Sequence, residues 1–250
     1  WIFRTREFEQ MEMEFFVPPE DSDKWYEYWC NERLNWYIEH GIPEDMVMLR
    51  PHDEDELSHY STGTSDVEFK FPWGFDELEG IANRTDFDLK AHAAASGEKL
   101  DYFDPQTQER YVPFVIEPAA GATRTMAAFL LAAYDEDEVN GEVRTVLRLH
   151  PRLAPYKVAV LPLSKKDTLT PLAHEVRKLL ADRYMVDYDE TQNIGKRYRR
   201  QDEIGTPLAV TVDFDSLDDN AVTVRDRDTM EQVRVPIDQL LATVSEKLGF

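Results

Sequence analysis

The segment Phe3 to Phe16, FRTREFEQMEMEFF, constrains the chain more than any other. Its residues alternate, so it reads as a β-strand of period two. Phe8, Gln10, Glu12 and Glu14 lie on one face; Met11, Met13 and Phe15 lie on the other, toward a core. Carboxylates in a row on one face repel each other, and burying them unpaired is costly. Such a face stays in water or binds a cation. Arg4 and Arg6, just before the strand, suit an anion. A cation site beside an anion site describes a pocket for an amino acid and a nucleotide.

A chain of 250 residues allows one large or two ordinary domains. The single cysteine, Cys30, excludes an internal disulfide and a four-cysteine zinc site. No apolar run is long enough to span a bilayer and no signal peptide is evident, so the expectation is a cytoplasmic protein without a membrane partner. The chain starts at Trp1, just before a motif, which reads as a C-terminal fragment of a longer protein. The net charge of −22 argues against a general nucleic-acid binder, because phosphate contacts need Lys and Arg. An acidic, Lys-poor surface suits a salt-rich cytoplasm, where screening is strong. An ordinary acidic bacterial protein is the preferred reading.

Punctuation along the chain divides it further. Asp21-Ser22-Asp23 caps a helix from about Lys24 to His40, stopped by Gly41-Ile42-Pro43. Trp25, Trp29, Arg33 and Trp36 recur at helical spacing and read as core rather than as a nucleotide-stacking face. Strands are expected over Asp66–Phe71, Glu77–Ala82 and Tyr111–Ile116, with a helix begun near Thr85 and a buried one over Thr123–Tyr134. The polar run Ser61–Ser65 reads as a loop, and the charge run Asp135–Gly141 as an insertion or linker. A second domain begins near Ala154-Pro155. It has strands at Val158–Leu163, Leu208–Val212, Ala221–Val224 and Gln232–Val235, and helices at Leu172–Arg183 and Ile237–Leu248. That alternation implies an α/β sandwich.

Four segments in one order carry a resemblance. They are FRTREFEQMEMEFF, then Glu77–Leu89 (ELEGIANRTDFDL), Val115–Arg124 (VIEPAAGATR) and Ile194–Pro207 (IGKRYRRQDEIGTP). Together they resemble class II aminoacyl-tRNA synthetases, in the form of the dimeric glycyl-tRNA synthetases, over essentially the whole chain. The resemblance implies an α/β fold class. Residues 1–153 would be a partial α+β antiparallel class II catalytic sheet, and 154–250 a mixed-sheet anticodon-binding domain. It implies glycine, ATP and tRNA(Gly) as partners, Mg²⁺ as cofactor, and a homodimer for the longer protein.

Residue by residue, the resemblance places Glu12 and Glu117 on the glycine ammonium. Arg4 falls on an ATP phosphate, and Phe8 falls under adenine. Arg124 becomes the motif 3 arginine over adenine and the γ-phosphate, at a helix start that already favours anions. Arg4 and Arg124 are thus the catalytic pair. Glu77 resembles the glutamate that ligates Mg²⁺, with Glu79 a rival two residues on. Arg84 meets the substrate carboxylate or the α-phosphate. Asp86 and Asp88 look like a metal pair, but Thr85-Asp86 reads better as a helix cap. The resemblance departs at Ala119, where glycyl enzymes often carry a serine that contacts the amine. Motif 1 and the Arg-x-Glu strand of motif 2 are absent, so these 250 residues alone are expected to be inactive.

Lys196, Arg197, Arg199 and Arg200 form the densest basic cluster, with Arg225, Arg227 and Arg234 on or beside later strands. They are candidate tRNA contacts, with Tyr198 a candidate for stacking on a base; the alternative is a solvated helix paired with Asp202 and Glu203. His52, Glu56 and His59 do not have zinc-site spacing. No Ser-His-Asp or Cys-His arrangement is evident, which suits in-line attack of a carboxylate on the α-phosphate. The expected activity is glycine–tRNA ligation through glycyl-adenylate. The rivals are a non-catalytic synthetase-like protein that binds nucleic acid, and a ligase of the same fold for another amino acid.

Overall fold

The computed structural model describes residues 5–6, 8–53, 55–59, 61–164 and 168–250. Arg4 lies outside the described residues. The chain forms two compact units, the first ending at Ala132 and the second running from Ala133 to Phe250. Mixed α/β architecture holds in both, with an antiparallel sheet in the first and a mixed sheet in the second.

In the first unit the elements are β1 (Gln10–Glu12), β2 (Phe15–Val17), α1 (Ser22–Glu39), β3 (Val47–Pro51), β4 (Gly63–Phe71), β5 (Gly74–Thr85), α2 (Phe87–Ser96), β6 (Tyr102–Phe103), β7 (Arg110–Tyr111), β8 (Phe114–Gly121) and α3 (Ala122–Ala133). The sheet runs β1/β2-β8-β5-β4-β3, all antiparallel. β1 and β2 pair with β8 in a single register, from Gln10 opposite Gly121 to Val17 opposite Phe114. They are one strand interrupted at Met13-Glu14. The cause is Pro118: the Met13 amide donates to its carbonyl at 3.0 Å, but proline has no N–H to return the bond.

α1 covers one face of this sheet. Phe15 packs against Trp25 and Trp29, with ring centroids 4.9 and 5.3 Å apart, and Phe129 of α3 stacks on Tyr37. The tryptophans are half-buried packing residues, as their spacing implies. Their face also buries Glu79, 2% exposed. It receives Arg33 Nε at 2.7 Å and the Tyr37 hydroxyl at 2.7 Å. Burial followed by Glu79 drives the Tyr37 phenol well above its ordinary pKa. The strand expected at Asp66–Phe71 begins earlier, at Gly63, in the segment read as a loop. α3 is not buried all round: Met126, Leu130 and Leu131 are exposed.

The second unit holds β9 (Tyr134–Val139), β10 (Glu142–Leu147), β11 (Val158–Pro162), α4 (Thr170–Ala181), β12 (Val186–Tyr188), α5 (Ile194–Ile204), β13 (Leu208–Val212), α6 (Ser216–Asp219), β14 (Ala221–Asp226), β15 (Gln232–Pro236) and α7 (Leu240–Leu248). Its main sheet runs β12-β11-β13-β14-β15. The pairs of β11 with β12 and β13 are parallel, and the rest are antiparallel. Alternate residues of β11 face opposite ways. Val158 and Val160 join the core with Val176 of α4 and Val244 of α7. Ala159 and Leu161 meet Ile194 and Tyr198 of α5. The sheet is a filling between two helical layers.

The charge run at 135–141 is not a linker but most of a hairpin, β9 paired with β10 through the Asn140-Gly141 turn. Its strand-forming partner supplies the reason. Arg144 on β10 is 1% exposed and donates to Asp137, Asp202 and the Arg227 carbonyl. The Lys157 ammonium likewise gathers the carbonyls of Pro151, Arg152 and Ala154 at 2.7–2.9 Å. The hairpin and the turn after it therefore pack with the second unit, upstream of the 153/154 boundary expected from the family's domain plan. Gly205 closes α5 with φ +82°, and a Cβ there would stand 3.0 Å from the Leu147 carbonyl. A side chain there would be strained in its backbone and would press hairpin and helix apart.

Asp202 lies at the centre of this network, accepting from both ends of the Arg225 guanidinium at 2.8 and 3.0 Å. Asp202→Asn is expected to destabilise the second unit by about 3–5 kcal/mol, since it leaves buried guanidinium charge uncompensated. Urea denaturation followed by circular dichroism reads this out; a loss below about 1 kcal/mol would show the network to be dispensable.

Candidate functional site

The face of the first sheet opposite α1 carries the site. Hydrogen-bonded pairs between the edge strand and β8 fall at Met13–Pro118, marked by its bond, and at Glu9–Ala122, where the Ala122 amide donates to Glu9 at 2.9 Å. Glu12 opposite Ala119, and Glu14 opposite Glu117, are therefore the closer, non-hydrogen-bonded pairs. Their side chains share one face. The carboxylates of Glu12, Glu14 and Glu117 lie within 4.8 Å of one another. Small residues follow along the same face: Ala82 lies opposite Glu117, and Gly80 opposite Ala119.

Glu14 is the residue that the strand pattern placed on this face but to which no role was given. Its carboxylate lies within 4.8 Å of those of Glu12 and Glu117. Burial first, then Glu117 through hydrogen bond and charge, push its pKa up to about 7; Arg84 opposes and Glu12 adds to the rise. Arg84 sits at a bulge in β5, where the register slips between Asn83 and Thr85 and Thr85 takes φ 56°. From there it donates to Glu117 at 2.9 Å and to Asp88 of α2 at 2.7 Å. Asp88 is thus an arginine partner. The Asp86 carboxylate pairs with Lys90 at 2.6 Å and makes no cap hydrogen bond to the helix.

One pair further along, the face opens into a cavity of about 470 Å³ lined by Thr5, Phe8, Gln10, Glu77, Leu78, Ala119, Gly121, Thr123 and Arg124. Phe8 is 61% exposed and offers a free ring face. Arg124, in the first turn of α3, is pinned by a 2.9 Å hydrogen bond to the Glu77 carbonyl and stands 3.9 Å from the Glu77 carboxylate. Glu77 and Glu79 do not share a strand face as their spacing suggests. The β4–β5 register slips at Leu78, so Glu68 faces Glu77 while Val67 faces Glu79. The bulge sends Glu79 under α1 and leaves Glu77 open at the cavity.

The basic cluster divides. Arg197 is 1% exposed, and its guanidinium donates to the carbonyls of Pro162, Leu163, Asp189 and Gln192. Arg225 is buried on Asp202, and Arg227 on the carbonyls of Leu149 and Gly205. These three are internal struts, which corrects the expectation that they reach tRNA. Tyr198 bonds Thr211 at 2.6 Å and carries Arg225 over its ring, so it too serves the core. Arg234 is tied to Asp213 and Asp219. Lys196 is exposed, Arg199 is half-buried, and Arg200 pairs with Asp189 at the surface. His52 bonds Asp66 at 2.8 Å and His59 packs on Phe87, so neither belongs to this face.

Residues 157–247 match the family described as anticodon binding domain, which coincides with the second unit's main sheet and helices. Across its whole length the chain is 59% identical to a glycine--tRNA ligase of Macrococcus caseolyticus, of which it covers 54%. By sequence, it is similar to glycine--tRNA ligases along its whole length. The proteins of that name from Bacillus anthracis and Corynebacterium glutamicum are each 58% identical over 100% and 99% of the chain. The chain spans about half the length of these relatives. Among the described residues no helix is long and apolar enough to cross a membrane.

The Glu14 pair has a thermodynamic signature. A carboxyl whose pKa is about 7 when folded and 4.5 otherwise binds more protons in the folded state. Its contribution to stability is therefore greatest below about pH 4.5 and is lost as pH rises through about 7. Glu14→Gln is expected to remove this component, raising the unfolding midpoint at about pH 8 relative to the parent. Thermal melts across that range check it; identical pH profiles for the two proteins would refute the coupling.

Proposed function

We propose that this chain supplies the amino-acid pocket and the anticodon-binding domain of an enzyme that joins glycine to its tRNA through glycyl-adenylate. One observation carries the reading: three carboxylates converge one strand pair away from a cavity bordered by Phe8, Glu77 and Arg124. A cation-binding corner beside an anion-binding cavity is what an amino acid and ATP require.

In this reading Glu12 and Glu117 hold the glycine ammonium through charged hydrogen bonds. Adenine stacks on Phe8, and the Arg124 guanidinium faces the triphosphate. Arg84, held by Asp88 and Glu117 through two of its five N–H donors, orients Glu117 and keeps donors for the substrate carboxylate or the α-phosphate. Glu77 is a hard, half-exposed oxygen donor at the cavity and fits Mg²⁺, which when bound would neutralise phosphate charge. A carboxylate oxygen of glycine then attacks the α-phosphorus and pyrophosphate leaves. The protein's contribution is placement and fixed charge. The first unit, ending at Ala132, belongs to the catalytic side and the second, from Ala133, to the anticodon reader, with Lys196, Arg199 and Arg200 as its phosphate contacts. The longer protein works in the cytoplasm as a homodimer.

The decisive experiment is glycine-dependent ATP–pyrophosphate exchange by the full-length protein; exchange driven by another amino acid, or none at all, would overturn the proposal. Within that assay Glu12→Gln is expected to raise the glycine KM by about ten- to a hundred-fold, matching a charged hydrogen bond of about 1.5–3 kcal/mol. The ATP KM should stay within about two-fold, and parallel rises in both would remove Glu12 from the ammonium site. On the RNA side, reversing Arg199 and Arg200 to Glu should weaken tRNA binding. It should reduce the slope of log affinity against log salt by about one unit per lost phosphate contact. An unchanged slope returns both residues to a solvated helix.

A further inference from the structure

The packing beneath the cavity carries a further step, which rests on reading that cavity as the ATP site. We propose that Tyr37 and Glu79, neither of which lines it, are positioning residues for ATP: from the other face of the sheet they fix where the Glu77 carboxylate and the Arg124 guanidinium stand relative to each other.

Glu77 and Arg124 come from different elements, β5 and α3. On a regular strand, residues two apart share a face, so an unbulged β5 would put Glu77 and Glu79 on the same side. The extra residue that separates them is Leu78, which is buried. This bulge is held from beneath. Glu79 accepts Arg33 Nε on Oε1 at 2.7 Å, and on Oε2 it accepts Arg33 Nη2 at 3.2 Å and the Tyr37 hydroxyl at 2.7 Å. Arg33 and Tyr37 lie one turn apart on α1, so both reach one carboxylate. The same guanidinium lies 4.7 Å from the centre of the Trp36 ring, which fixes it in turn. Were the bulge to slip, Glu79 would turn toward the cavity and Arg33 would lose its counter-charge.

The second cavity group is tied to the same helix. Phe129 lies further along α3 than Arg124 and is buried. Its ring stacks on Tyr37, with centroids 5.9 Å apart, and meets Trp36 edge-on at 5.7 Å. Tyr37 therefore serves both groups. Its hydroxyl steadies the strand that bears Glu77, and its ring supports the helix that bears Arg124. The 2.9 Å bond from Arg124 to the Glu77 carbonyl closes the circuit on the cavity side. A triphosphate with its divalent cation needs a hard oxygen donor and a guanidinium at a set separation, because preorganised charge helps only where the ligand's charge will be. A strand and a helix free to shift independently would not hold that separation.

Equilibrium binding of ATP to the full-length protein, by isothermal titration calorimetry with Mg²⁺ and without glycine, tests this. Tyr37→Phe keeps the ring on Phe129 and removes one hydrogen bond. It should weaken ATP binding by about three- to ten-fold. The glycine KM in pyrophosphate exchange should stay within about two-fold. In a Glu77→Gln background the same substitution should change ATP binding by less than about two-fold, because the group it positions is gone. Glu79→Gln is the second variant: it keeps an acceptor for Tyr37, loses the ion pair with Arg33, and should also weaken ATP binding. Val47→Ala, a buried position on the edge strand β3, should lower the unfolding midpoint and leave ATP binding unchanged. Unchanged ATP binding in Tyr37→Phe would overturn the inference. So would a loss that persists in full in the Glu77→Gln background, or one that Val47→Ala reproduces. If Glu77→Gln and Arg124→Ala weaken ATP binding while Tyr37→Phe does not, the positioning role alone fails. If Glu77→Gln and Arg124→Ala bind ATP as the parent does, the reading of the cavity itself fails.

Discussion

Everything functional in the first unit hangs on β8, which is paired along both edges. On one side it sets the register of the Gln10–Val17 strand, and on the other that of β5. Those two registers decide which side chains share a face. They put Glu117 opposite Ala82 and across from Glu14, and they carry Gly121 to the start of α3, where Arg124 turns back to the Glu77 carbonyl. A slip of one residue in either pairing would send the carboxylates under α1 and the aromatic packing into solvent. The register is locked from the other face, where Phe15 sits between Trp25 and Trp29 and Glu79 is held by Arg33 and Tyr37.

Much of this was legible in the sequence because it is periodic. The alternation of Phe8 to Phe15 names the two faces of the edge strand. Capping and stop residues bound α1 within a few positions, and the apolar runs at Val158 and Leu208 mark the central strands of the second sheet. What stayed hidden breaks periodicity. The bulge at Leu78 separates Glu77 from Glu79, and a bulge is one residue of extra backbone that no side-chain pattern announces. The hairpin at 134–147 hid behind its own charge, because Asp135 and Asp137 read as solvent-loving until Arg148 and Arg144 are seen across from them. Glu14 was visible on the correct face, yet its coupling to Glu117 depends on a cross-strand pairing that one strand's sequence does not contain.

The second unit shows the opposite use of charge. Arginines that look like an RNA-binding cluster in the sequence are drawn inside to satisfy backbone carbonyls and one aspartate. Arg197 gathers the carbonyls that end β11 and the loop before α5, where the polypeptide would otherwise bury unpaired acceptors. Arg227 does the same for the end of α5 and the turn after β10. A guanidinium suits the task because its five donors are fixed in a plane and its charge survives burial. Density of basic residues along a helix is thus a poor guide to its surface: helical periodicity sends Arg197 inward and leaves Lys196 exposed beside it.

Drawing those arginines inside also shapes the field the molecule projects. With a formal charge of −22 and several of its cations spent on interior contacts, its outer surface is more one-sidedly acidic than composition alone conveys. A polyanion approaching from a distance meets net repulsion and finds attraction locally, where exposed cations such as Lys196 stand. Mobile ions screen the distant repulsion before they weaken a close contact. Encounter with such a partner is therefore orientation-selective, and moderate ionic strength favours it where the same salt would slow a basic protein.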